Sequence, residues 1–342
     1  MKEAAFYDKL EEKAVQCRLC SHFCRIKPGR KGICRVRENR EGTLVSLVYG
    51  RVIAENVDPI EKKPIFHLKP GSLSYSIAAV GCNLKCRFCQ NSQIAHSLSD
   101  SSHHDSRGLT PGRDMEPRDI VDQALAAGCA SISYTYTEPT VFFELARDTA
   151  RQARQEGLLN IFVTNGFMGE EAVDEAASFL DAANVDLKAF RNEFYEKYCG
   201  ARLEPVQKNL IRMKKAGILV EVTTLLIPGL NDDGEELKAL AGFIAEDLGT
   251  DTPWHISRFH PCYQMVDRGA TPVTSLEKAC NIGKKAGLDY VYMGNVPGSE
   301  YEHTCCPQCG SILVERRGYR IRNLLAPDGS CRTCGALSGI RN

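Results

Sequence analysis

Nowhere in the 342 residues is there an apolar run approaching the ~20 residues that a membrane-spanning helix needs. Net charge is missing too, with 43 Lys and Arg against 43 Asp and Glu, and tryptophan is nearly so, with Trp254 alone. The first absence argues against a membrane protein. The charged start, residues 1–13, has no apolar signal-peptide core, so the expected location is cytoplasmic. No compositional bias is present either: 43% hydrophobic and 25% charged residues with 28 Gly and 15 Pro exclude a disordered or collagen-like chain.

Cysteine is what the sequence has in excess. Four of the sixteen fall in 17–34, three in 82–89 and five in 305–334, leaving Cys129, Cys199, Cys262 and Cys280 single. In a reducing compartment, clustered C-x2-C spacing points to metal rather than to disulfides, and disulfide scaffolds are short secreted chains. The single cysteines read as small buried apolar residues. The balanced charge is unevenly spread, about +6 over 1–75 and +3 over 301–342. A basic end suits nucleic acid, but four thiolates around one Zn²⁺ sum to −2 and would erode that excess. Nucleic acid therefore stays open as a partner without being the favoured one.

Between 73 and 298 short apolar or β-branched runs alternate with amphipathic stretches. The runs are 73–80, 130–136, 158–164, 182–187, 218–227 and 254–259, with a further one at 289–293. The helical patterns include 119–127, 140–156, 170–180, 193–215 and 235–247. Strand then helix, repeated, means parallel strands with helical crossovers. Six units predict an α/β fold of the partial (β/α)6 barrel type, with a doubly wound open sheet as the alternative. The expected organisation is a Cys-rich metal-binding module at 1–70, the barrel at 71–300 and a zinc-ribbon-like module at 301–342. A polar loop at 97–117 carries His103 and His104, read as solvated.

The decisive segment is Cys82-Asn83-Leu84-Lys85-Cys86-Arg87-Phe88-Cys89, directly after the first strand. Three cysteines at C-x3-C-x2-C can each take one iron of a cubane, leaving the fourth iron open. Structural zinc normally closes with four ligands. The polar residues after the later strands include Glu138, Asn165, Asp186, Lys188 and His260. That ring places acceptors and donors together at the strand ends, where a polar ligand could be held.

This loop, with the aromatic Phe88 before the third cysteine, resembles the signature of the radical S-adenosylmethionine (SAM) superfamily. The resemblance implies a [4Fe–4S] cluster on Cys82, Cys86 and Cys89, S-adenosylmethionine chelating the open iron, reductive cleavage to a 5′-deoxyadenosyl radical, and anaerobic working conditions. It also implies an electron donor of the flavodoxin or ferredoxin type. By similarity to glycyl-radical activating enzymes, Glu138 is expected to hold the methionine ammonium, although Tyr-Thr-Glu stands where those enzymes have Gly-Gly-Glu. Asp186 and Lys188 match their Asp-x-Lys, and Phe88, Asn165 and His260 are expected near the cofactor.

The chain as a whole is similar to the AmmeMemoRadiSam-system radical SAM enzymes, related to pyruvate formate-lyase activators. The residues carrying this are Cys17-Arg-Leu-Cys20, Gly32-Ile-Cys34-Arg-Val-Arg37, Asp58-Pro-Ile-Glu-Lys-Lys-Pro64, Tyr134-Thr-Tyr-Thr-Glu-Pro139 and Gly294-Asn-Val-Pro297. The expected activity is that of a radical SAM oxidoreductase on an unidentified small molecule or partner protein. Activation of a glycyl-radical protein is the alternative among enzymes, and a non-catalytic electron-transfer or nucleic-acid-binding protein the alternative outside them.

Cys17, Cys20, Cys24 and Cys34 offer four thiolates to zinc, to a second cubane, or to neither as redox thiols. Cys306, Cys309, Cys331 and Cys334 form two C-x2-C-Gly knuckles of a zinc ribbon.

Overall fold

The computed structural model describes residues 1–99 and 110–342. His103 and His104 lie outside the described residues. Eight strands form the main sheet: β1 (Ala54–Pro59), β2 (Leu73–Ala78), β3 (Ser131–Tyr134), β4 (Leu159–Thr164), β5 (Ala182–Asp186), β6 (Leu219–Leu226), β7 (Trp254–Arg258) and β8 (Val291–Gly294). Spatial order follows the sequence from β1 at one edge to β8 at the other. Strands β2 to β8 are parallel, and β1 joins β2 antiparallel.

A helix of at least eight residues lies in each connection between parallel neighbours: α1 (Pro117–Ala126), α2 (Phe143–Gln155), α3 (Glu170–Ala177), α4 (Leu203–Lys215), α5 (Gly234–Phe243) and α6 (Val273–Lys285), with short helical turns at Ser92–Ala95 and Asn192–Phe194 besides. The six expected βα units are therefore present, followed by β8 from the seventh run. Among the described residues no ladder joins β8 to β1, so the sheet stays open.

Local chemistry explains these elements. The parallel strands are covered on both faces and read as continuous apolar runs, as in β3, where all four residues are buried. Helix α2 buries Phe143, Leu145, Ala146, Ala150 and Ala153 along one stripe. Asp233 caps α5, accepting from the amides of Glu235 and Glu236 at 3.0 Å each. The helical pattern expected over 193–215 is broken at Gly200, whose left-handed φ of 66° ends one short turn before α4 begins. Strand β1 had no apolar run to announce it: its Ala-Glu-Asn-Val-Asp-Pro sequence is largely polar, and only Asp58 is buried, as suits an edge strand.

Residues before β1 form two small antiparallel sheets, Tyr7–Lys9 with Val15–Cys17 and Arg25–Ile26, and Lys2–Glu3 with Arg37–Arg40 and Thr43–Ser46. Val15, Ile26 and Val36 share one core with the barrel. Arg37, 1% exposed, ion-pairs with Glu144 of α2 and donates to the Ala5 carbonyl. The C-terminal segment contains β9 (Thr304–Cys305), β10 (Ile312–Arg317) and β11 (Arg320–Asn323), built over a small core of its own that includes Leu313, Val314 and Leu325.

Candidate active site and metal centres

A cavity of about 800 Å³ opens at the C-terminal ends of the parallel strands, where barrel-type sheets carry their chemistry. Cys82, Cys86 and Cys89 all line it, together with Glu138, Asn165, Asp186 and Lys188. Seven of the nine residues expected at the site thus meet in one space. Phe88 does not line it: the ring is buried, packs 5.8 Å from Phe194 and lies under the Lys188 ammonium. His260 is exposed and lies off the cavity wall.

The cysteine loop is fastened on every side. Gly81 precedes it at φ 98°, and a Cβ there would sit 2.7 Å from Val36 Cγ1 and 3.1 Å from the Cys34 carbonyl oxygen, so only glycine fits. The amides of Lys85 and Arg87 donate to the carbonyls of Cys199 and Tyr198 at 2.7 and 2.9 Å. Asn165 Nδ2 donates to Asn83 Oδ1 at 2.8 Å and reaches Cys82 Sγ at 3.8 Å. Behind the loop, Cys262 Sγ donates to the Phe88 carbonyl. The buried Cys199 thiol donates to Cys86, and this hydrogen bond holds Cys86 below the usual thiol range. Burial pushes Cys89 up to about 11, and burial with the nearby Glu138 carboxylate raises Cys82.

Glu138 is 1% exposed. Its Oε1 accepts from the Thr140 amide, Thr140 Oγ1 and Thr164 Oγ1 at 3.1, 2.5 and 2.7 Å, and its Oε2 from the Asn165 amide at 2.8 Å. Burial raises its pKa in spite of these donors. Lys188 donates to Asp186 at 3.0 Å. Burial alone would lower Lys188, but Asp186 and the neighbouring thiols outweigh it and keep the ammonium charged.

Across the cavity stand residues whose role the sequence did not disclose. Asp58 accepts from Lys62 at 2.8 Å, from Lys63 at 2.6 Å and from the Tyr136 hydroxyl. Burial would raise Asp58, yet those three donors hold it well below the usual carboxylate range. Lys63, 2% exposed, is pushed down to about 8, burial outweighing Asp58. Glu61 lies 3.8 Å from the guanidinium of Arg316, a residue of β10 buried to 1%. Arg316 also donates to the Phe66 carbonyl and to Thr304 Oγ1 at 2.9 and 2.6 Å, tying the C-terminal hairpin into the barrel. Lys62, Lys63, Glu61 and Arg316 all line the cavity. The motif at 58–64 was visible in the sequence; the partner from 316 lies some 250 positions away.

Cys306, Cys309, Cys331 and Cys334 have their sulfurs all within 4.8 Å of one another, with Cys306 to Cys334 and Cys309 to Cys331 at 3.6 Å. That spacing suits one tetrahedral ion. No described helix is long and apolar enough to cross a membrane.

The model of the Radical SAM superfamily matches residues 76–241, which contain the cysteine loop, Glu138, Asp186 and Lys188. The chain is 44% identical over 337 residues, 98% of both chains, to the uncharacterized protein MJ0808 of Methanocaldococcus jannaschii. The chain belongs to the radical SAM superfamily. The family implies a [4Fe–4S] cluster and S-adenosylmethionine, and three cysteines on one cavity wall, with no fourth among its described lining residues, fit such a cluster. The isethionate sulfite-lyase activating enzyme of Oleidesulfovibrio alaskensis is 22% identical over 223 residues, 48% of this chain and 72% of that one. A radical SAM methyltransferase from Sphaerobacter thermophilus shares the fold, with a TM-score of 0.50 and 18% identity, over 66% of this chain and 68% of that one.

Proposed function

We propose that the chain is a radical SAM oxidoreductase acting on a small polar substrate held between the cysteine loop and the wall formed by Lys62, Lys63, Glu61 and Arg316. The observation that carries this reading is the joint position of three cysteines, Glu138, Asn165, Asp186 and Lys188 on one cavity of about 800 Å³. That volume lies toward the upper end for small-molecule sites and has room for a cofactor and a substrate together.

With a [4Fe–4S] cluster on Cys82, Cys86 and Cys89, bound S-adenosylmethionine supplies reductive cleavage to methionine and a 5′-deoxyadenosyl radical that takes a hydrogen atom from the substrate. Glu138, fixed by four donors, presents its remaining lone pairs to the cofactor's ammonium. Lys188 and Asp186 offer a donor and an acceptor side by side. Asn165 braces both Glu138 and the cysteine loop. The Lys63–Asp58–Tyr136 cluster and the Glu61–Arg316 pair orient the substrate's polar groups. Zinc on the four C-terminal cysteines holds the hairpin that delivers Arg316. A flavodoxin- or ferredoxin-type carrier supplies the electron.

The test is anaerobic incubation of the reconstituted protein with dithionite and S-adenosylmethionine. Release of 5′-deoxyadenosine, lost in Cys86→Ala, supports the reading, and an intact cluster that releases none refutes it. A second reading, activation of a glycyl-radical protein, is favoured by the similarity to an activating enzyme. It predicts a glycyl-radical EPR signal on a partner polypeptide.

A further inference from the structure

The N-terminal cysteines are not used by the site above, yet they are not scattered. Cys17, Cys20, Cys24 and Cys34 line one narrow pocket, closed on the barrel side by Thr140 and Val141. Backbone amides point at three of the sulfurs: His22 at Cys20, Ile33 at Cys24 and Val36 at Cys34. Their spacing separates two kinds of metal site. Zinc with Zn–S bonds of about 2.3 Å draws four sulfurs to within about 4 Å of one another. The C-terminal four come close to this, and among the described residues they are the only set of three or more ligands lying within 4.8 Å. No three of the N-terminal sulfurs approach that closely. Four thiolates facing a common pocket at larger separation suit a cubane, which carries an iron at each of four corners.

We infer that Cys17, Cys20, Cys24 and Cys34 hold a second [4Fe–4S] cluster, closed by four protein ligands, through which electrons enter the enzyme. The metal site stands independently of the radical reading; its role as a relay rests on that reading. One layer of protein separates the two sites. The Cys34 carbonyl abuts Gly81, next to Cys82. His22 Nε2 donates to the Asn83 carbonyl at 2.7 Å, and Thr140 touches both the pocket and Glu138.

The outer side is suited to a donor. Phe23 and Ile33, 48% and 42% exposed, flank Cys24 and Cys34. Arg25, Lys27, Arg30, Lys31 and Arg35 are exposed around them, and 25–35 contains no acidic residue. A small acidic one-electron carrier complements this basic rim around an apolar centre. The carrier gives up one electron, the N-terminal cluster takes it and passes it to the cluster at Cys82, Cys86 and Cys89, and no bond or proton changes at the relay.

The full-length protein, reconstituted anaerobically with iron and sulfide, should hold about eight irons per chain. Cys82→Ala/Cys86→Ala/Cys89→Ala should keep about four, with an EPR signal that S-adenosylmethionine leaves unchanged. Anomalous scattering at the iron edge from the wild-type protein should appear at both cysteine sets. Zinc at the N-terminal set, or iron at the Cys82 set alone, overturns the inference. In the latter case a signal still shifted by S-adenosylmethionine leaves the radical reading intact, whereas iron at both sets with no such shift sinks that reading and spares the N-terminal site. Arg25→Glu/Lys27→Glu/Lys31→Glu should slow reduction by an acidic flavodoxin at least about tenfold at low salt while dithionite reduces it as before. An unchanged flavodoxin rate rejects the entry patch.

Discussion

Lys63 is a cation in an unusual position, nearly inaccessible, with Asp58 at 2.6 Å and the Tyr136 ring beneath it. Its pKa of about 8 means that it is an ammonium below that pH and turns neutral above it, while an exposed lysine stays charged to beyond pH 10. Asp58 favours the charged form and burial opposes it. Asp58→Asn should therefore move the Lys63 midpoint further down, which NMR of the labelled Nζ can follow; a midpoint that rises or stays would contradict this electrostatic account. Losing the carboxylate should also cost about 3 kcal/mol of stability near neutral pH, as breaking buried pairs does, measurable by denaturant unfolding. Glu138→Gln is the corresponding change on the cofactor side. It places an amide where a carboxylate met four donors and removes a charge-assisted bond of about 1.5–3 kcal/mol, so S-adenosylmethionine affinity should fall about 10–100-fold, read from the concentration that shifts the cluster's EPR signal. At this scale the meeting of the cysteines and Glu138 on one cavity was legible because spacing and position after a strand fix where they lie. Lys63 and Arg316 were not, since charged residues ordinarily face solvent and nothing local marks the few that are buried.

The loop from Gly81 to Cys89 shows what elements add to residues. Its shape is set by partners from Cys34–Val36, Phe167, Tyr198–Cys199 and Cys262–Gln264. Gly81→Ala would force a methyl group into Val36 and the Cys34 carbonyl at a left-handed φ, a conformation costing about 1–3 kcal/mol for non-glycine residues before any clash is counted. The expected result is reduced iron retention at Cys82, Cys86 and Cys89. Because a carbonyl as well as a side chain stands in the way, Val36→Ala should fail to restore it; full iron content in Gly81→Ala would show that the contact is dispensable. The parallel strands were readable as apolar runs and five of the six crossover helices as amphipathic stripes, most boundaries following to within a few residues, whereas α6 (Val273–Lys285) was not among the patterns read. Strand β1 was missed because an edge strand alternates too little to register. The π-helical turn at Tyr195–Cys199 was merged into the next helix because Gly200 alone marks the break. His260 was expected at the cofactor from its position after β7, but strand-end position does not fix which way a loop side chain turns.

For the molecule as a whole, the two flanking segments complete the site. Arg37 and the N-terminal cysteines press on the barrel beside the cysteine loop, while Arg316 enters it from the C-terminal hairpin. Cys309→Ser/Cys334→Ser, which removes two of the four thiols proposed to hold a C-terminal ion, should therefore expose residues 301–342 to protease while leaving the proposed cluster at Cys82, Cys86 and Cys89 spectroscopically intact; an unchanged digestion pattern would show that the hairpin stands without metal. These couplings join positions far apart in the chain, and no single-sequence pattern reports them. All of the proposed chemistry depends on one corner of the central cluster being free to take S-adenosylmethionine. The most direct measurement is electron–nuclear double resonance on the reduced protein with S-adenosylmethionine labelled with ¹⁵N at the methionine amino group. A resolved ¹⁵N coupling to the cluster is the predicted result, and a spectrum identical to that of the unlabelled, unliganded protein would contradict it.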